Sequence, residues 1–228
     1  MKSRLLALAA AAVFAFGVQA VLAAPIHNES GDAGGTIAGA QVVDGDGPPG
    51  SPVTAIVGSL SGGNDVDIYG INISSPAVFS ASTQGGAAFD TQLFLFHGNG
   101  VGISANDDTA ASLQSLLPAG NPLHTVLAPG SYFLAITGFD NDPLDGAANL
   151  IFQSSPFIGV YGPNPGVGPL AGFSGGGSSG QYTIFLTGVT HTPGPASVIG
   201  EPASVIGWTL IAGIGSVGAY LRRRRKSA

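Results

Sequence analysis

The fold class is decided by FDTQLFLFHGNGVGISANDD, residues 89–108. Its centre, LFLF at 93–96, is apolar at every position, so a strand there would bury both of its faces. HGNG at 97–100 then supplies turn residues for a hairpin. A strand that is apolar on both faces belongs in the centre of a sheet that is covered on both sides. The stretch therefore predicts an all-β domain.

Short runs rich in β-branched and aromatic residues recur on both sides of this stretch, between Gly, Pro, Asn and Asp. They are VTAIVGSL (53–60), DIYGINI (67–73), AVFSAST (77–83), HTVLA (124–128), SYFLAIT (131–137) and QYTIFLTGV (181–189). In the last run Tyr182, Ile184 and Leu186 share one face, because side chains alternate along a strand. YFLAI at 132–136 is apolar on both faces and predicts a second central strand. PGSY at 129–132 adds another set of turn residues. We therefore predict a two-sheet sandwich over residues 50–190.

Residues 153–180 form a long segment that is dense in Gly, Pro and Ser. Connections of this length are either functional or mobile, and the Gly/Ser run favours a mobile one. Phe157, Tyr161 and Phe173 offer the alternative that the segment covers the edge of the core or contacts a partner.

The first residues have the pattern of an export signal. Lys2 and Arg4 precede the apolar stretch LLALAAAAVFAFGV, and VLAA then offers small residues for cleavage. We expect a signal peptide at residues 1–23 with the cut after Ala23, followed by an N-terminal extension at 24–49. The alternative is an N-terminal anchor that is never removed.

The last residues have the pattern of a membrane span. Residues 203–221, ASVIGWTLIAGIGSVGAYL, carry no charge and as a helix would extend about 28 Å, close to the apolar thickness of a bilayer. A basic cluster follows at 222–228, and basic residues stay on the cytoplasmic side. The cluster consists of Arg222, Arg223, Arg224, Arg225 and Lys226. Both ends therefore predict that the middle of the chain lies outside the cytoplasm.

The linker at 191–202 runs into the span through GEPAS (200–204), and the arginine run follows the span. This three-part order resembles the PEP-CTERM sorting signal of Gram-negative bacteria, in which an exosortase in the inner membrane cuts near the short motif. Gly200 replaces the first proline of the family's motif. The resemblance implies a transient inner-membrane anchor, and the alternative is a permanent single-span anchor. The motif residues are Gly200, Glu201, Pro202, Ala203 and Ser204.

The middle of the chain resembles the bacterial pre-peptidase C-terminal (PPC) domain. The resemblance is carried by SGGNDVDIYGINI (61–73), the stretch at 89–108, LAPGSYFLAITGF (127–139) and GQYTIFLTGV (180–189), in the family's order. It implies a jelly-roll-like β-sandwich in an extracellular setting and no catalysis by the domain itself. Some members of the family bind calcium through acidic loops.

The distribution of charge favours a cation site on its own chemistry. All 13 acidic residues lie between Arg4 and Arg222, where the chain has no Lys or Arg. Neighbouring carboxylates must therefore be separated by water, bonded to backbone amides or bridged by a metal, and Ca²⁺ takes six to eight oxygen ligands. The candidate calcium ligands are Asp65, Asp67, Asp107 and Asp108. The alternative is that each aspartate serves a local turn.

Catalytic motifs are weak in this sequence. There is no cysteine, so disulfides and thiolate chemistry are excluded. GFSGG (172–176) fits a nucleophile motif only by its Gly/Ser composition, and the acidic body should repel nucleic acid. We expect an exported, non-enzymatic surface or matrix protein that is handled by the export machinery, signal peptidase and exosortase, with exopolysaccharide as a candidate partner. The alternative is an exported hydrolase with an unrecognised site, which would use His97, His124 or Ser174, or an accessory domain of a secreted enzyme.

Overall fold

The computed structural model describes residues 25–44 and 47–191. Its elements are almost all strands, and the helical ones are a single turn each: α1 (Pro122–Thr125) and two 3-10 turns (Ile37–Gly39 and Pro76–Val78). The all-β prediction is confirmed. The strands are β1 (Ile26–Asn28), β2 (Gln41–Val42), β3 (Ala55–Leu60), β4 (Asp67–Ile73), β5 (Ser80–Ser82), β6 (Thr91–His97), β7 (Gly102–Asn106), β8 (Leu116–Leu117), β9 (Gly130–Gly138), β10 (Pro143–Asp145), β11 (Leu170–Phe173), β12 (Gly180–Thr187) and β13 (Val189–Thr190).

The strands form two large sheets and one small one. The five-stranded sheet has the order β1-β3-β12-β5-β8, and the six-stranded sheet contains β13-β4-β9-β6-β7 with β2 also paired to β4. Strands β10 and β11 form a separate pair. Most neighbours are antiparallel, whereas β1 pairs with β3 and β2 pairs with β4 in parallel. HGNG forms the β6–β7 turn, in which Gly100 has a φ of 82° and its amide donates to the His97 carbonyl. PGSY instead begins β9 after α1.

A hydrophobic core fills the space between the two large sheets. Tyr182, Ile184 and Leu186 of β12 are buried, whereas Phe185 and Thr187 on the other face are exposed, so the predicted alternation is confirmed. They meet the inward residues of the six-stranded sheet, which include Tyr69, Ile71, Leu93, Leu95, Leu134 and Ile136. The architecture is β-sandwich-like, with its main core between the two large sheets.

The six-stranded sheet buries its outer face as well. Strands β6 and β9 are interior strands of this sheet, as their apolar sequences predict. Phe94 and Phe96 point away from the main core into a second cluster with Ile151 and Phe152. The Phe94 and Phe152 rings stack with their centroids 5.8 Å apart. The continuous apolar run in β6 therefore reflects two covered faces.

The segment at 153–180 takes part in this covering layer, although its composition favoured a mobile connection. Phe173 packs edge-on against Phe94 with ring centroids 6.4 Å apart, and Leu170 joins the same cluster. Asp145 anchors the segment by accepting the amide of Gly168 at 3.0 Å. Phe157 is 42% exposed and contacts Phe139 at the rim. The alternative in which the segment covers a core is the one that agrees with this packing.

Residues 25–44 belong to the sandwich, although the sequence set 24–49 apart as an extension. Strand β1 adds to the edge of the five-stranded sheet and β2 adds to β4 of the other sheet. Ala33 and Val43 lie in the main core with no exposed surface. Strands of two or three residues are too short to show an alternation of apolar and polar side chains, which is why the sequence did not reveal them.

Candidate metal centre

Three aspartates meet at the open end of the β6–β7 hairpin, opposite its turn, where β6 begins and β7 ends. Asp90 immediately precedes β6, and Asp107 and Asp108 immediately follow β7. The two strands pair antiparallel with Leu93 opposite Asn106. Because the start of one antiparallel strand lies beside the end of its neighbour, this register brings the three carboxylates to one place.

The geometry of the three carboxylates suits a shared ion. One oxygen from each of Asp90, Asp107 and Asp108 lies within 4.8 Å of the other two. Two oxygens on opposite sides of a Ca²⁺ ion are about 5 Å apart, so this spacing permits a common ligand. The Oδ1 atom of each residue is buried, and none of the three has a hydrogen-bond partner among the described residues. Buried polar atoms are normally paired, so three unpaired oxygens together indicate a missing partner.

The backbone around the cluster is fixed by the long segment. The Asn106 side-chain amide donates to the carbonyls of Asp108 at 2.8 Å and Gly159 at 2.6 Å, and its oxygen accepts the amide of Leu116 at 2.6 Å. The Asp108 amide donates to the Phe157 carbonyl at 3.1 Å. The loop that carries Asp107 and Asp108 is thus held in position before any ligand arrives.

The electrostatics of the cluster disfavour three bare negative charges. Burial, with a smaller contribution from the Asp108 charge, raises the pKa of Asp107 to about 7 and that of Asp90 to about 6. Burial also raises the pKa of Asp108. Since no Lys or Arg occurs between Arg4 and Arg222, the described residues supply neither side chain to balance them. A proton or an external cation must do so.

A fourth carboxylate lies beside the cluster. Asp142, which is buried, accepts a hydrogen bond from the Gln92 side chain at 3.1 Å, and Gln92 in turn accepts one from Thr137 at 3.2 Å. Burial raises the pKa of Asp142 despite the bond from Gln92. Asp107 and Asp142 line the same small cavity. Asp142 and Gln92 thus add oxygen atoms beside the cluster and no positive charge.

The four aspartates predicted from the sequence lie at three places. Asp107 and Asp108 are together, as expected for a shared site, and Asp90 completes their cluster. Asp67 lies with Glu29 and Asp32 in a second group whose oxygens are also within 4.8 Å of one another. Asp65 instead bonds the backbone amides of Ser61 and Val66, which is the local turn role.

Sequence reasoning missed Asp90 because a lone aspartate before a strand reads as a turn residue. The signal that could have found it is the hairpin itself. A tight turn at 97–100 places residues before β6 beside those after β7, so the position of Asp90 follows from the predicted pairing.

The hydrolase alternative would use Ser174, His124 and His97, and each of these side chains contacts different partners. Ser174 accepts the amide of Asp142 and donates to the carbonyl of Asp140. His124 is fully buried and bonds Ser104 at 2.9 Å. Its Nδ1 faces the Pro118 carbonyl, which can only accept, so Nε2 is the acceptor for the Ser104 hydroxyl. His97 packs against Tyr132 at the hairpin turn.

Comparison of the chain with protein-family models, curated proteins and solved structures gave no match. Within residues 25–44 and 47–191, no helix has the length and apolar character needed to cross a membrane. The predicted signal peptide, sorting motif, membrane span and basic cluster lie outside the described residues.

Proposed function

We propose that the chain is an exported, non-enzymatic protein of the cell surface or extracellular matrix whose β-sandwich binds Ca²⁺ at Asp90, Asp107 and Asp108. One observation carries the calcium site. One oxygen from each of the three carboxylates lies within 4.8 Å of the other two, and each residue has a buried Oδ1 without a hydrogen-bond partner in the described residues. The middle of the sequence has no Lys or Arg.

The chemistry of the donors favours Ca²⁺ over other common cations. All of the donors are carboxylate oxygens, which hard cations prefer, and neither cysteine nor histidine belongs to the cluster. Mg²⁺ demands near-ideal octahedral geometry at short distance, whereas Ca²⁺ tolerates irregular sets of six to eight oxygens. Extracellular modules bind Ca²⁺ with dissociation constants of about 10⁻⁴–10⁻³ M. An exported domain with such a site would be filled where calcium reaches about that concentration.

The finer fold and the sorting route are part of the same proposal. The jelly-roll-like, PPC-like interpretation is supported by the order of the motifs at 61–73, 89–108, 127–139 and 180–189. Export is supported by the apolar stretch near Lys2 and Arg4, and exosortase processing by the linker, span and arginine run. In this proposal the chain is held in the inner membrane of a Gram-negative bacterium before it is released outward.

Intact mass of the protein recovered outside the cell tests the sorting route. Cleavage at both ends removes residues 1–23 and also removes Trp208, the only tryptophan. An extracellular form that retains Trp208 would contradict exosortase release. A form that retains the first 23 residues would contradict signal-peptide cleavage.

Exopolysaccharide is the proposed partner. The outer side of strand β12 is exposed and uncharged, with Gln181, Phe185 and Thr187 pointing to solvent and Phe185 46% exposed. Amide and hydroxyl groups can hydrogen-bond sugars, and an aromatic ring gives a surface for stacking. Cosedimentation with purified exopolysaccharide of the producing bacterium tests this partner. The Phe185→Ala variant should bind less, and equal binding by that variant would place the contact elsewhere.

The calcium site is tested by thermal unfolding of the full-length chain in detergent. The chain is first stripped with EDTA and then melted with and without 10 mM CaCl₂. If the dissociation constant is about 10⁻⁴–10⁻³ M, binding stabilises the fold by about 1.4–2.7 kcal/mol and raises Tm by about 3–10 °C. Asp108→Asn should lose a large part of this rise, and Asp44→Asn, which removes an exposed carboxylate outside both acidic groups, should keep it. A wild-type Tm that calcium leaves unchanged would refute the site.

A further inference from the structure

A threonine and a glutamine lie directly opposite each other in the six-stranded sheet. Strands β6 and β9 pair antiparallel with Gln92 across from Thr137. Both side chains are on the outer face of the sheet, in line with Phe94 and Ala135 of the second cluster. Thr137 has no exposed surface, and Gln92 is 3% exposed. The covering layer therefore separates this hydroxyl and this carboxamide from solvent.

Asp142 sets the orientation of the carboxamide. Its Oδ1 accepts the Gln92 Nε2 amide at 3.1 Å, so the nitrogen lies on the Asp142 side. The Thr137 hydroxyl donates to Gln92 Oε1 at 3.2 Å. Because Cδ lies about 1.2 Å from Oε1, the hydroxyl oxygen is at most about 4.4 Å from the Gln92 Cδ. A side-chain movement of about 1 Å brings these two atoms to the separation of about 3–3.5 Å from which bonds form.

This arrangement holds a nucleophile, an electrophile and a proton donor in contact. A threonine hydroxyl attacks a carbonyl carbon when a neighbouring group takes its proton. Fixed contact replaces the encounter that makes this reaction slow between free groups in water. Burial raises the pKa of Asp142, so its carboxyl can hold a proton beside the nitrogen that would leave. Exclusion of water also protects the product from hydrolysis.

We propose that Thr137 and Gln92 form an ester cross-link between strands β6 and β9. The Thr137 Oγ1 adds to Gln92 Cδ, and the hydroxyl proton moves to Oε1, which it already faces. Asp142 then gives its proton to Nε2 and recovers one from the hydroxyl at Oε1. The Cδ–Nε2 bond breaks, ammonia leaves, and the Cδ–Oγ1 bond remains as an ester. The reaction needs no oxidant, reductant or cofactor.

The cross-link gives the chain a covalent tie of a kind that cysteine cannot supply here. The sequence has no cysteine, so a disulfide cannot join its strands. An ester between residues 92 and 137 closes the intervening chain into a loop, which restricts the unfolded state as a disulfide does. The inference stands apart from calcium binding and export, because it uses neither the three aspartates of the metal cluster nor the ends of the chain.

A second threonine–glutamine pair provides an internal control. Gln84 Nε2 donates to Thr109 Oγ1 at 3.0 Å, so the amide nitrogen, and not the carbonyl oxygen, faces this hydroxyl. Both residues are only half-buried. Because water reaches this pair and its hydroxyl faces the wrong atom for attack, we expect no cross-link there.

Mass spectrometry of the full-length chain, purified in detergent and digested with pepsin, tests the proposal. The wild type should yield two joined peptides, one with residue 92 and one with residue 137, whose mass is about 17 Da below their sum because ammonia is lost. Mild alkali should hydrolyse the ester and separate them. Thr137→Ser keeps the hydroxyl and should keep the joined peptides, as should the control Thr109→Val. Thr137→Val removes the hydroxyl and should give two separate peptides.

Folded wild-type protein that yields residues 92 and 137 only in separate peptides would overturn the cross-link. A mass deficit that persists in Thr137→Val would do the same, since it would arise elsewhere in the chain. Asp142→Asn removes the proton donor and should slow the appearance of the joined peptides after cell-free synthesis by about 100-fold or more. An unchanged rate would overturn the role of Asp142. Circular dichroism of the same samples establishes that each variant is folded.

Discussion

Replacement of Asp107 by Asn should raise the stability of the metal-free protein at alkaline pH. The native fold holds this carboxyl among Asp90 and Asp108, and burial raises its pKa from 3.8 to about 7. The native state therefore keeps a proton that the unfolded state has already lost between about pH 4 and pH 7. Metal-free stability should fall as pH rises through this window, and the charge left at pH 8 opposes folding.

The size of the effect follows from the pKa difference. A change of three pKa units corresponds to about 4 kcal/mol, and solvent screening of this partly exposed group reduces that to about 2 kcal/mol. For a chain of this size, about 2 kcal/mol corresponds to a Tm change of about 4–8 °C. The Asn side chain carries no charge, so the variant avoids this loss at pH 8. At pH 5 the native carboxyl is still protonated, but the unfolded carboxyl is already mostly ionised, so the variant should have roughly a third of its pH 8 advantage there.

The assay is thermal unfolding of the full-length wild type and Asp107→Asn in detergent with EDTA, at pH 5 and pH 8. Asp44→Asn removes an exposed charge and serves as the control, with no comparable gain at pH 8. In a parallel series with 10 mM CaCl₂, the wild type should gain more than the Asp107→Asn variant. Wild-type stability that rises from pH 5 to pH 8 without metal, or a variant with the same pH profile as wild type, would refute the reasoning.

Three further predictions address the packing. Phe152→Ala should destabilise the fold by about 3–5 kcal/mol in denaturant unfolding, because this buried ring covers the outer face of the six-stranded sheet. Phe157→Ala, at the exposed rim, should cost far less. Equal losses of stability in the two variants would contradict a fixed covering layer. Asp145→Ala should lower Tm at pH 7, because the amides that donate to its carboxylate, that of Gly168 above all, lower its pKa to about 2. The stability that Asp145 contributes should be lost as pH falls from about 4 to 2. A difference in Tm between wild type and variant that stays constant over this range would argue against it. Ser104→Ala should cost about 1–3 kcal/mol in the same unfolding assay, because it leaves the buried ring nitrogen of His124 without its donor; a neutral result would contradict that bond.

Much of the fold follows from local pattern. The alternation in β12 identified its buried face, and the sequences of β6 and β9, which are apolar on both faces, identified interior strands. Side chains alternate between the two faces of a strand, so the pattern of apolar residues shows which faces are buried. The parallel additions of β1 and β2 did not follow from pattern. Their pairing depends on contacts between residues far apart in sequence, and their short runs carry too little period to be recognised.

The candidate sites divide in the same way. The order of residues along the chain established that no Lys or Arg lies among the acidic residues, so a cation or a proton must balance any close pair. Only the tertiary structure decided which carboxylates are close. Strand register placed Asp90 with Asp107 and Asp108, and edge closure placed Glu29 and Asp32 beside Asp67. The physical reason is that the positions of the charged residues along the chain are read directly from the sequence, whereas a coordination site needs oxygens within a few ångströms, and only folding sets those distances.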